Sequence, residues 1–102
     1  MKKRVFRDYQ EKLMQDLQDP GSAEAYLNEA MMDEDPQIFL LALKDVLQAK
    51  GQEMTSLAKK AKLSRENLYR ILSKKGNPEL NSIISLLDVA GYSFSVHAHK
   101  NK

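Results

Sequence analysis

The run Ser64-Arg65-Glu66-Asn67-Leu68-Tyr69-Arg70-Ile71-Leu72-Ser73 holds the densest set of side chains in this sequence able to make specific polar contacts. Leu68, Ile71 and Leu72 recur at helical spacing, so one side of a short helix turns inward. Arg65, Glu66, Asn67, Tyr69, Arg70, Ser73 and Lys74 are then left outside or at the margins. A guanidinium donates two parallel hydrogen bonds, a carboxamide donates and accepts side by side, and a carboxylate only accepts. Those patterns complement guanine, adenine and cytosine as displayed in the major groove of duplex DNA, which admits a single helix. Arg65, Asn67 and Glu66 are the respective candidates, and Arg70 reaches a base or a phosphate. Ser64, Lys59, Lys60, Lys62 and Lys74 suit phosphates, contacts that orient a protein without reading sequence.

Other chemistries find less support. His97 and His99 share one side of an alternating stretch, but no acid or third histidine stands near them in sequence, so a metal site is not expected. Cysteine is absent, which removes disulfides and thiolate chemistry. No glycine-rich phosphate loop and no grouping of serine, histidine and carboxylate can be assembled. The expectation is a binding protein rather than an enzyme, with no cofactor.

Charge supports a polyanion partner. The formal net charge of +2 hides a separation: Asp8 to Asp35 carries nine acids against Lys12 alone, whereas Lys50 to Lys75 carries eight bases against Glu53 and Glu66. One surface is suited to a polyanion, and the acidic N-terminal half, with Asp16, Asp19 and Glu24, to a basic partner. At 102 residues the chain accommodates one ordinary core plus an arm. No apolar run approaches the roughly 18 residues of a membrane span, and Met1-Lys2-Lys3-Arg4 leads into polar sequence, so a cytoplasmic location without a membrane partner is expected.

The elements that must position the polar run are helices. Phe6, Tyr9, Leu13 and Leu17 mark a first amphipathic helix, closed by Asp19-Pro20-Gly21. Ser22 is read as the cap of a second helix, and Asp35-Pro36 as the start of a third that runs to about Lys50 before Gly51. The third helix is apolar around more of its circumference than one neighbour can cover, so the N-terminal helices pack on one side of it and the later helices on the other. From Met54 the pattern is short helix, tight turn, short helix: Met54, Leu57, Ala58 and Ala61 face inward, Leu63 sits in the turn, and Ser64 caps the polar run. Lys75-Gly76-Asn77-Pro78 forms a loop before a last core helix with Leu80, Ile83, Ile84, Leu86, Leu87 and Ala90 that stops at Gly91. Tyr92 to Ala98 alternates with period two, the sign of a half-buried strand, whose pairing partner is the same tail of a second subunit. Met14, Met31, Met32 and Met54 serve either as core filling or as adaptable contact surface.

The run Leu57-Ala58-Lys59-Lys60-Ala61-Lys62-Leu63-Ser64-Arg65-Glu66-Asn67-Leu68-Tyr69-Arg70 resembles the helix-turn-helix of the Cro/phage-repressor (Xre-type) class. Over nearly its whole length the chain resembles the probable addiction-module antidote proteins, which are HigA-like antitoxins. The features are Phe6-Arg7-Asp8-Tyr9, Ala25-Tyr26-Leu27-Asn28, Asp35-Pro36, Leu63 to Tyr69, and Gly76-Asn77-Pro78. The resemblance implies an all-α fold: a Cro/phage-repressor-like bundle over residues 36–91, an N-terminal helical arm over 1–35, and a strand and tail over 92–102 as a candidate dimerisation element. It implies a homodimeric repressor of its own operator that neutralises a co-encoded RelE/ParE-like (HigB-type) toxin. By position, Ser64 matches the phosphate-contacting residue before the recognition helix, and Arg65, Glu66, Asn67 and Arg70 match the base-reading places. A stand-alone transcriptional regulator, or an interaction module with a relic DNA-binding motif, remain the alternatives. Two positions depart from the class: Lys62 stands where the turn often has glycine, which strains a left-handed backbone, and Met54 replaces a phosphate-contacting glutamine.

Overall fold

A computed structural model describes residues 2–51, 53–73 and 79–99, with side chains from Asp8 onward. The described residues form six helices: α1 (Lys2–Asp16), α2 (Pro20–Met31), α3 (Pro36–Ala49), α4 (Met54–Lys60), α5 (Arg65–Ile71) and α6 (Leu80–Ala90). The expected strand is not among them. Residues 92–99 are irregular. The period-two pattern there has a different cause. Tyr92 packs against the core and its hydroxyl donates to the Pro20 carbonyl at 3.2 Å, and Phe94 lies 5.9 Å from Phe39, ring to ring. Val96, the third apolar residue of the series, is 97% exposed. Alternation here reports a tail laid along the body, and a strand needs a second strand to bond with, which this tail lacks among the described residues.

Two helices start on the same chemistry. Asp35 sits in extended backbone and its carboxylate accepts from the Gln37 amide at 2.9 Å, with Pro36 in the first turn. Asp19 and Pro20 repeat that arrangement at the start of α2. The Asp19 carboxylate accepts from both the amide of Ser22 at 2.9 Å and its hydroxyl at 3.0 Å. The cap of α2 is therefore Asp19 rather than Ser22, because a proline occupies the first turn without surrendering a needed donor and fixes the helix three residues earlier.

Helix α3 is the central element. It packs against α1, α2 and α6, which answers its wide apolar surface. Leu43 and Val46 are fully buried, and one core cluster runs from Leu17 and Ala23 through α3 to Leu57, Leu68, Leu86 and Ala90. The first two helices are thus part of the same packed body. Two sets of expected core residues face outward instead: Tyr9 is 65% exposed, and Leu80 and Ile84 are 64% and 49% exposed. Phe6 and the loop Lys74 to Pro78 lie outside the residues whose side chains are described.

Candidate nucleic-acid interface

Helices α4 and α5 pack against each other, and α4 also packs against α6. Leu57 and Ala58 of α4 and Leu68 and Ile71 of α5, with Ala61 and Leu72 at the helix ends, are at most 5% exposed, so this pair is bolted to the body by its apolar side. The turn between them closes with two backbone bonds: Leu63 N–H donates to the Ala58 carbonyl at 2.8 Å, and Lys62 N–H to the Lys59 carbonyl at 3.2 Å. Such a closure requires a left-handed residue just past the helix. That residue is Lys62, with φ of 59°, the sole non-glycine residue with positive φ among those described. Gly91 fills the equivalent place after α6, where Tyr92 N–H donates to the Leu87 carbonyl at 2.8 Å. The same stop therefore follows α4 and α6, with glycine after α6 and after α4 a cation that bears a steric cost.

Helix α5 begins on Ser64, whose backbone is extended and whose hydroxyl accepts from the Asn67 amide at 3.0 Å. That bond satisfies one of the unpaired amides of the first turn and sets where the helix starts. With Leu68 and Ile71 inward, Arg65, Glu66, Tyr69 and Arg70 are exposed and Asn67 is half-buried. The outward side chains form two pairs. Arg70 Nη2 donates to Asn67 Oδ1 at 2.6 Å. One turn away, Arg65 Nη2 approaches Tyr69 Oη at 3.5 Å while the guanidinium carbon sits 5.5 Å from the Tyr69 ring centroid. The hydrogen bond with Tyr69 and then its electrostatics hold the Arg65 guanidinium above its ordinary pKa. Ser73 turns its hydroxyl back onto the Arg70 carbonyl at 2.8 Å, away from any external role.

Lys59, Lys60, Lys62 and Ser64 are all exposed and lie along the end of α4, the turn and the start of α5. Nine of the ten residues singled out from the sequence therefore sit on one supersecondary unit, and Lys74 lies outside the described residues. Arg65 and Arg70 are exposed and Asn67 half-buried on the two turns of α5. Thr55 and Ser56 escaped the sequence reading. They are exposed in the first turn of α4, whose cap position, Glu53, makes no side-chain bond to the helix. Their signal was two adjacent hydroxyls at a helix start, too common a pattern to single out.

The described residues contain no cluster of His, Cys, Asp or Glu able to hold a metal ion. Ser95 Oγ pairs with His97 Nε2 at 3.0 Å. No helix among the described residues is long and apolar enough to cross a membrane.

The sequence has relatives. An uncharacterised protein of Haemophilus influenzae is 34% identical over 71 residues, 70% of this chain and 71% of that protein. No solved structure matches the chain. The family model described as "Probable addiction module antidote protein" matches residues 9–98, a span that runs from within α1 through the tail and takes in both α4 and α5. The chain belongs to the family of probable addiction module antidote proteins.

Proposed function

We propose that this protein is an antitoxin that binds the duplex DNA of its own operator through α5, acts there as an autorepressor, and neutralises a co-encoded toxin. Membership of the antidote family supports a toxin partner, and the RelE/ParE-like (HigB-type) class is the kind we expect. The observation that carries the DNA-binding half is geometric. A two-turn helix buries its leucine and isoleucine side and presents Arg65, Glu66, Asn67 and Arg70 together. Lys59, Lys60, Lys62 and Ser64 flank them on the same unit, as phosphate contacts beside a reading helix must. This is a binding role, and α4, the turn and α5 act as a helix-turn-helix. Two copies on successive major grooves need an operator with half-sites about 10 base pairs, or a multiple, apart.

The test is binding to the upstream DNA across a salt series. The log–log slope should steepen by about 0.9 for each phosphate neutralised. Arg65→Ala and Asn67→Ala should each lose about 1 to 3 kcal/mol on the operator and little on random duplex, whereas Lys60→Ala weakens both alike. A flat salt response, or equal losses on both DNAs for all three variants, would remove the DNA-binding reading and leave a protein-interaction module.

A further inference from the structure

The corner where α2 ends and α3 begins keeps large apolar side chains in water. Met32 is 85% exposed, Met31 51% and Ile38 38%. Two apolar depressions flank this corner and share Ala30 and Asp33. On the α6 side the floor includes Met31, Phe39, Leu40, Ile83 and Phe94. On the other side it includes Tyr26, Met32, Ile38 and Leu41. Of the four methionines that the sequence left as filler or contact surface, Met14 and Met54 pack half-buried against the core, while Met31 and Met32 do not. Adjacent exposed methionines beside hollows make a surface that adapts to an apolar partner.

The charges around the corner are of one sign. Glu34 borders the first depression, Glu29 and Asp45 the second, and Asp33 both. No base lines either hollow, and residues 13–43 contain seven acids and no lysine, arginine or histidine. Tyr26 Oη donates to Asp45 Oδ2 at 2.8 Å, which fixes that carboxylate at the rim. Asp33 Oδ1 accepts from the Asp35 amide at 2.8 Å, which holds that carboxylate in the turn between α2 and α3, while Asp19, an earlier candidate for partner binding, spends its carboxylate on capping α2.

We propose that the α2–α3 corner is a docking surface for a basic protein segment that inserts apolar side chains between Met31 and Met32 and places lysines or arginines against Asp33, Glu34, Glu29 and Asp45. This rests on the antitoxin reading above, and the toxin is the occupant. Charge complementarity makes the choice: nucleic acid would be repelled, and a two-fold contact with a second copy would bring like-charged rims together.

The experiment measures binding of the purified co-encoded toxin to the full chain. Two variants alter only exposed side chains with no internal hydrogen bond to lose, Met31→Ser with Met32→Ser and Glu29→Lys with Glu34→Lys. Both should keep thermal stability and operator affinity while losing about tenfold or more in toxin affinity. Asp16→Asn, away from both hollows, should stay within about twofold. If the unaltered chain binds toxin and both corner variants bind it equally well, the corner is not the site, and the antitoxin reading survives. If the unaltered chain binds no toxin, the antitoxin reading falls and the docking assignment with it. Loss of self-association in the methionine variant with toxin affinity unchanged would make the occupant a second copy and overturn the proposal.

Discussion

Replacing Lys62 by glycine should move stability and DNA affinity in opposite directions. Lys62 holds φ at 59° because the two bonds that close α4, Leu63 N–H to Ala58 and Lys62 N–H to Lys59, need a left-handed residue there. A side chain in that conformation costs roughly 1 to 2 kcal/mol. Glycine removes the cost but adds freedom to the unfolded chain worth roughly 0.5 to 1 kcal/mol. The net gain is about 0.5 to 1 kcal/mol, or a melting temperature higher by roughly 2 to 8 °C for a domain of this size. On the DNA-binding reading the same substitution deletes one phosphate contact and lowers the log–log salt slope by about 0.9. Lys62→Ala is the control, because it loses the charge and keeps the strain. It should match the glycine variant in DNA binding and melt no higher than the unaltered protein. A glycine variant that melts together with or below the alanine variant would show that the turn stores no strain at Lys62. An unchanged salt slope in both would remove Lys62 from the interface.

Other expectations follow from single bonds. Ser64→Ala should cost about 0.5 to 2 kcal/mol in denaturant unfolding through loss of the cap on Asn67, whereas Ser64→Asp keeps the cap and weakens DNA binding by repelling phosphate; equal stability of the serine and alanine forms would contradict this. Because Arg70 is bonded to Asn67 at 2.6 Å, a double-mutant cycle with Asn67→Ala and Arg70→Ala on operator DNA should show coupling of about 0.5 to 3 kcal/mol, and additive losses would mean that the two act separately. Tyr26 has its pKa raised, first by burial and then by its hydrogen bond to Asp45. The folded protein thus holds the phenolic proton more tightly than the unfolded chain does. The associated stability is complete below the ordinary tyrosine pKa of about 10 and is lost as pH rises from there toward the folded value. Stability measured between about pH 9 and 11 should fall more steeply for the unaltered protein than for Tyr26→Phe, and parallel curves would refute the coupling.

Much of this protein is determined by local rules that the sequence carries in full. Proline after aspartate starts α3, serine before the polar run starts α5, and glycine after alanine stops α6. The period of Leu68, Ile71 and Leu72 alone decides that Arg65 and Arg70 face outward, because a buried side and an exposed side of one helix cannot be exchanged without turning every residue over. Where local rules compete, the sequence was misread: Asp19-Pro20 is the start of α2 as well as the end of the preceding turn, and only the helix geometry shows which role the carboxylate takes. The tail illustrates the other limit. Its alternation is real, but whether an extended segment becomes a strand depends on a second strand, and the surface that received Tyr92 and Phe94 instead is built from α2 and α3, far away in sequence. Only tertiary structure could decide that Met14 and Met54 go against the core while Met31 and Met32 stay in water beside acids, since methionine fits either place and the choice belongs to the neighbours.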